Sequence, residues 1–122
     1  MIELNPTAVA MDFYRDCRAR GLAPLTAQQY KTVAYEFLTE TNPNLSMTAE
    51  YLDIKPSLIE YVNYCRKNDL SYSATKTKFT ALNNYFTFLM DEGEININPI
   101  LQFRARYVRT YKAPDTKGIL SN

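Results

Sequence analysis

The chain has 122 residues, 14 Lys and Arg against 13 Asp and Glu, a formal net charge of +1, and no histidine. That length fits one domain with a real core. The lack of histidine removes the commonest general base and metal ligand, and with it zinc catalysis and Ser-His or Cys-His nucleophile pairs. No apolar run approaches the roughly 18 residues of a membrane span, and the first residues lack a signal-peptide pattern. A cytoplasmic protein is expected, with no membrane partner, no cofactor and no small-molecule substrate. Cys17 and Cys65 fall in helical patterns and read as buried thiols rather than as a disulfide or metal site. The three glycines form no phosphate-cradling loop.

After a lead-in over Met1 to Pro6, Asn5 or Thr7 is positioned to cap a first helix running to about Arg20. Val9, Phe13 and Cys17 mark its buried side, with Tyr14 beside them, and Gly21 ends it. Thr26 is expected to cap a second helix with Ala27, Tyr30, Val33, Ala34, Phe37 and Leu38 as its core face. Asn42-Pro43-Asn44 is a turn signal. A short helical turn is expected from Ser46 or Thr48 through Leu52. Pro56 fits the first position of a third main helix to Lys67, with Leu58 or Ile59, Val62 and Cys65 inside and Tyr61 partly buried.

The next helix organises the chain. Thr75, Phe79, Leu82, Phe86 and Leu89 recur at spacings of four and three along one apolar face. Ser73 stands where an N-cap belongs, and Gly93 where the left-handed closing residue belongs. Ile95 and Ile97 are expected to fold back on the bundle. Asn98-Pro99 then starts a basic helix to about Arg109. Beyond it, residues 110–122 carry Pro, Gly and polar residues without periodicity and read as a linker that ends without closure. No strand pattern competes. The fold class expected is all-α: a compact bundle of four main helices, a short helical turn and a basic C-terminal helix over residues 1–109, with the linker at 110–122.

Two helical faces stand out by composition. Opposite its apolar stripe the organising helix carries Ser73, Lys76, Thr77, Thr80, Asn83, Asn84 and Thr87, with one cation and no anion before Asp91. A solvated face usually mixes Glu and Lys. This one is rich in hydroxyls and amides suited to phosphates and base edges. The second helix repeats the pattern with Gln28 and Thr32, and with Lys31 at the edge. From Pro99 onward, Arg104, Arg106, Arg109, Lys112 and Lys117 face a single acid, Asp115, so a segment of net +4 follows a body of net −3. The candidates for contacts to phosphates and base edges, which the resemblance given next implies are DNA-binding residues, are Thr26, Gln28, Lys31, Thr32, Ser73, Lys76, Thr77, Thr80, Asn84, Arg104, Arg106, Arg109 and Lys112. Lys76 is the leading phosphate contact. Thr77, Thr80 and Asn84 are placed for phosphate or base-edge hydrogen bonds. The helix starts at Thr26 and Ser73 offer free N–H groups. Lys78 lies nearer the apolar stripe, where its stem snorkels. Glu36, Glu40, Glu50, Asp53 and Glu60 are expected to face away from DNA.

Three segments, in this order and spacing, carry a family resemblance. Arg20-Gly21-Leu22 with Thr26, Tyr30, Phe37 and Leu38 is similar to an R-G-L-S-x-x-T-x-x-x-Y opening. Leu70-Ser71 with Phe79, Ala81-Leu82, Tyr85-Phe86 and Leu89 is similar to L-S-x-x-T followed by L-S-A-L-R-x-F-Y-x-F-L. Gly93-Glu94-Ile95 through Asn98-Pro99-Ile100 is similar to a G-x-I-x-x-N-P exit. Over about residues 8–122 the chain resembles the N-terminal core-binding, SAM-like domain of tyrosine recombinases of the phage-integrase type. It departs at Ala74, where the family has Thr, and at Asn83, where it has Arg, so DNA contacts are not carried over there. The resemblance implies half of a clamp on recombination-site DNA. The second and fourth main helices would approach the major groove, and the linker would lead to a catalytic domain that supplies the Tyr nucleophile. The implied partners are double-stranded DNA, the chain's own catalytic domain and other protomers of a synaptic tetramer, in a nucleoid-associated setting. No catalytic residue is expected in this chain, so it should not cut DNA. The rival expectation is a helical protein–protein interaction module, or a stand-alone recombinase regulator, without DNA affinity.

Overall fold

The structure, a computed structural model, describes residues 5–108. The first four residues, Arg109, Lys112 and the linker expected at 110–122 lie outside that range. The described chain is all-helical. Helix α1 spans Pro6–Ala19, α2 Pro24–Thr41, α3 Tyr51–Lys67, α4 Tyr72–Asp91 and α5 Ile100–Phe103; α5 opens directly into a π-helical turn over Arg104–Val108. No strand occurs among the described residues, and no helix among them is long and apolar enough to cross a membrane.

The helix ends follow from backbone chemistry. Asn5 caps α1, its Oδ1 accepting the N–H groups of Thr7 at 3.0 Å and Ala8 at 3.3 Å. Gly21, at φ +96°, closes α1. The Gly21 N–H bonds the Arg18 carbonyl and the Leu22 N–H bonds the Cys17 carbonyl, both at 3.0 Å, which is the paired closure of a Schellman turn. Gly93 (φ +75°) ends α4 in the same way, and Asp69 (φ +59°) does so for α3 without the freedom of a glycine.

Three helix starts differ from expectation. Helix α2 begins at Pro24, with Ala23 in extended backbone as its cap residue. Proline has its φ preset for the first helical position and no N–H to leave unpaired there, so Thr26 becomes the third helical residue rather than the cap. In α4 the Ser71 hydroxyl accepts the Ala74 N–H at 3.1 Å, which places Ser73 inside the first turn rather than at the cap. Helix α3 starts at Tyr51 and absorbs both the short turn expected near residue 50 and Pro56. The Glu50 N–H bonds the Asp53 carboxylate at 2.8 Å and fixes that start. Pro56 cannot donate to the Leu52 carbonyl. Leu52 is 73% exposed, so water can reach that carbonyl.

Helix α2 packs on α1, α3 and α4, and α4 also packs on α1 and on the exit segment. The five residues of the expected α4 stripe are all buried. So are Ala81, Tyr85 and Phe88, because α4 is covered on two sides. Aromatic rings join the elements. Phe13 meets Tyr85 at 5.2 Å, Phe37 meets Tyr61 at 5.7 Å and Phe86 at 6.0 Å, and Phe79 meets Phe103 at 5.6 Å. Such pairs stabilise by about 0.5–1.5 kcal/mol beyond the area they bury. Ile95 is buried and Ile97 partly so, as the apolar pattern of the loop predicts. Asn98 fastens the loop to α4. Its Nδ2 donates to the Asn83 Oδ1 at 3.0 Å and the Thr87 Oγ1 at 3.2 Å, and its Oδ1 accepts the Ile100 N–H at 3.0 Å.

Candidate nucleic-acid interface

The packing of α2 against α4 brings their polar faces together. An open groove of about 390 Å³ runs between them, lined by Gln28, Gln29, Thr32 and Val33 of α2 and by Ala74, Thr77 and Lys78 of α4. A second cleft, of about 330 Å³, lies between the start of α4 and the exit segment and includes Tyr72, Lys76, Leu101 and Arg104. Neither is lined by a carboxylate among the described residues. Of the residues singled out in the sequence, Gln28, Thr32 and Thr77 thus share the groove, and Lys76 and Arg104 share the cleft. Thr26 and Ser73 stand outside both, in the first turns of α2 and α4, where N–H groups have no intrahelical partner.

The hydroxyls of this surface are turned inward. Thr32 donates to the Gln28 carbonyl at 3.0 Å, Thr77 to the Ser73 carbonyl at 3.0 Å, and Thr80 to the Lys76 carbonyl at 3.1 Å. With its proton committed to the helix, each hydroxyl presents only lone pairs outward. It can accept from a base amino group as it stands, but must give up its backbone bond to donate to a phosphate. The outward donors of the groove are the Gln28 and Gln29 amides, and each amide can donate and accept at once.

Four residues singled out in the sequence have partners within the fold. Asn84 accepts from the Arg20 guanidinium at 3.3 Å and donates to the Thr80 carbonyl at 3.1 Å, which ties α4 to the end of α1. Lys31 leans towards α1, with its ammonium 3.8 Å from the Met11 sulfur and 5.5 Å from the Tyr14 ring centre. Arg106 lies on the α3 side, 5.7 Å from the centre of the Tyr107 ring. Thr80 is half-buried beside Asn84. Arg109 and Lys112 fall outside the described residues.

One charged cluster beneath the groove escaped the sequence reading. Glu36, expected to face away from DNA, joins three helices. It accepts from the Tyr61 hydroxyl at 2.5 Å, from the Tyr64 hydroxyl at 3.0 Å and from the Lys78 ammonium at 3.1 Å. Burial raises its carboxyl, but the Tyr61 hydrogen bond and the bond and charge of Lys78 outweigh it, so Glu36 sits below the ordinary carboxylate range. Tyr61 is fully buried rather than partly so, and burial together with its bond to Glu36 pushes its phenol up. The Glu36–Lys78 spacing of 42 residues leaves no local pattern that would reveal the pair. Because Lys78 is already paired, the net positive charge of the surface comes from Lys76 and Arg104. Neither has an ion-pair partner among the described residues. Burial pushes the Cys65 thiol up to about 11 and raises Cys17 too, so both are protonated, unreactive core groups at neutral pH. No protein-family model, curated protein or solved structure matches the chain.

Proposed function

We propose that this chain is a duplex-DNA-binding domain of the core-binding type that tyrosine recombinases carry, acting in DNA integration or recombination on nucleoid DNA. The observation that carries the proposal is the juxtaposition of the α2 and α4 polar faces. Among the described residues, they form a groove free of carboxylates, flanked by a cleft in which neither Lys76 nor Arg104 has an ion-pair partner. Lys76 and Arg104 supply phosphate contacts. Gln28, Gln29, Thr32 and Thr77 meet base edges, where the mixed donors and acceptors of amides and back-bonded hydroxyls match the pattern of the major groove. The partners proposed with this role are the catalytic domain, the other protomers of a synaptic tetramer and the recombination site itself. The strand chemistry belongs to that catalytic domain.

The test is binding to a random-sequence duplex across a salt series, with the wild type beside a Lys76→Ala, Thr77→Ala double variant. Wild-type affinity should fall with salt, and the variant should lose about one unit of the log–log slope because one phosphate contact is gone. Absence of binding at low salt, with helicity intact, removes the proposal. A second reading, a helical protein-interaction module, draws on the mostly apolar cleft of about 300 Å³ between α1 and α2, lined by Ala10, Met11 and Tyr35 among others. It predicts no salt-dependent DNA binding.

A further inference from the structure

The basic residues of the exit segment form one run in the sequence, but the structure divides them between two sides of the bundle. Arg104 joins Lys76 of α4. Arg106 lies instead beside the start of α3. There the ring of Tyr107 has the Lys55 ammonium at 5.5 Å and the Arg106 guanidinium at 5.7 Å from its centre, while it stacks on Phe103 at 4.5 Å. Tyr51, one helical turn before Lys55 on α3, brings a second phenol. The charges acting on it come from Lys55 and Arg106, together with Tyr107.

The charge balance of this cluster is open. Among the described residues, two full positive charges thus stand beside one ring. Among the described residues, no carboxylate figures in the causes that shift Tyr51 or Tyr107. Lys55 and Arg106 make no ion pair among the described residues. The nearest acid in the α3 sequence, Asp53, turns its carboxylate to the Glu50 N–H and makes no ion pair with Lys55. The Lys55 ammonium beside the Tyr107 hydroxyl, with the Arg106 guanidinium, also holds that phenol below its ordinary value. The Lys55 hydrogen bond is the largest part of that shift, followed by that of Arg106 and then by their charges.

We infer that Lys55, Arg106, Tyr51 and Tyr107 form an anion-binding site for a phosphate group, separate from the α2/α4 groove and built from α3 and the exit segment. The donor set fits that chemistry. A guanidinium fork, a compact ammonium and two phenolic O–H groups can share the oxygens of one tetrahedral anion. The Phe103–Tyr107 stack fixes the Tyr107 ring on the exit segment, where the Lys55 ammonium of α3 meets it at 5.5 Å. The phosphate group can come from a duplex backbone or from a free phosphorylated compound. The duplex source rests on the proposed function; the site itself does not.

The experiment is a titration of the ¹⁵N-labelled chain with inorganic phosphate, against chloride at matched ionic strength, read at the Lys55, Arg106 and Tyr107 signals. It is repeated for Lys55→Gln and Tyr107→Phe, and then with a duplex in place of phosphate. Saturable shifts specific to phosphate are expected, with affinity lowered about tenfold in Lys55→Gln, the loss of one charge-assisted contact. Tyr107→Phe, which keeps the ring stack, should bind more weakly without loss of fold. If phosphate binds and duplex does not, the site stands with a free phosphorylated ligand and the DNA proposal falls. If duplex binding depends on Lys76 but phosphate gives no more than the chloride response, or Lys55→Gln titrates like the wild type, the inference is overturned and the DNA proposal stands.

Discussion

Replacing Glu36 tests the tie between α2, α3 and α4 most directly. In Glu36→Ala the Tyr61 hydroxyl, on a residue with no solvent exposure, loses its acceptor. An unsatisfied buried donor costs about 1–3 kcal/mol. Lys78 also loses its counter-charge. Both side chains of that pair are 22% exposed, so screening holds this part to about 1 kcal/mol. The Tyr64 hydroxyl is half-buried and can turn to water. The sum is about 2–4 kcal/mol, which for a domain of this size lowers Tm by on the order of 10 °C or more. Glu36→Gln keeps an acceptor oxygen for Tyr61 and should lose about half as much. The pH dependence follows from the lowered folded-state pKa. Folding favours the ionised carboxylate, so the unfolded chain binds the proton more readily. The stabilisation is full above the ordinary value of 4.5 and is lost as pH falls through the lowered folded value. Urea unfolding followed by circular dichroism should show a wild-type advantage over Glu36→Gln at neutral pH that shrinks in acid. A Tm for Glu36→Ala equal to that of the wild type, or an advantage that stays constant into acid, would refute the reasoning.

Other changes probe single features. Tyr85→Phe should raise stability by up to about 1 kcal/mol in urea unfolding, because the Tyr85 hydroxyl is buried without a partner among the described residues and burial already pushes its phenol up. Asn98→Ala should cost about 1–2 kcal/mol and speed amide exchange over residues 95–103, since one side chain both caps Ile100 and holds Asn83 and Thr87. Gly93→Ala should lower stability by about 1 kcal/mol through its left-handed backbone alone, as no atom lies within 4 Å of the added methyl. Asp69→Gly, at the equivalent place after α3, should be neutral or raise Tm slightly.

The parts of the fold legible in the sequence are those encoded within one or two helical turns. The Thr75, Phe79, Leu82, Phe86 and Leu89 stripe is buried as its spacing dictates, and Gly21 and Gly93 close helices as their lack of a side chain allows. Starts were less legible where two local signals competed. Thr26 and Ser73 are good capping residues, but Pro24 and Ser71 lie upstream of them and set the first turn earlier. Pro56 looked like a beginning because proline usually is one, yet the loss of one bond to an exposed carbonyl is small beside the burial of Ile54 and Leu58 on either side of it. For the candidate interface, periodicity put Gln28, Thr32 and Thr77 on polar faces, but only packing could put those faces side by side. Long-range pairing was invisible. Nothing local distinguishes Glu36, which bonds α3 and α4, from Glu40, which is exposed. The split of Arg104 from Arg106 follows from their two-residue spacing, about 200° around a helix, whereas no residue pattern announced the departure from α-helical pitch over Arg104–Val108.

That departure also makes the exit segment a phase-absorbing element. An α-helix turns about 100° per residue, and the π-helical turn over Arg104–Val108 accommodates one residue more than an α-turn would. Deleting Ala105 would let the segment close with regular pitch and leave Val108 in its present phase on the bundle, because the wide turn already takes up the extra residue. The same deletion in the middle of α4 would instead rotate the rest of that helix by about 100° and turn its buried stripe out of the core. A one-residue change in length should therefore be tolerated in this turn more readily than within α4.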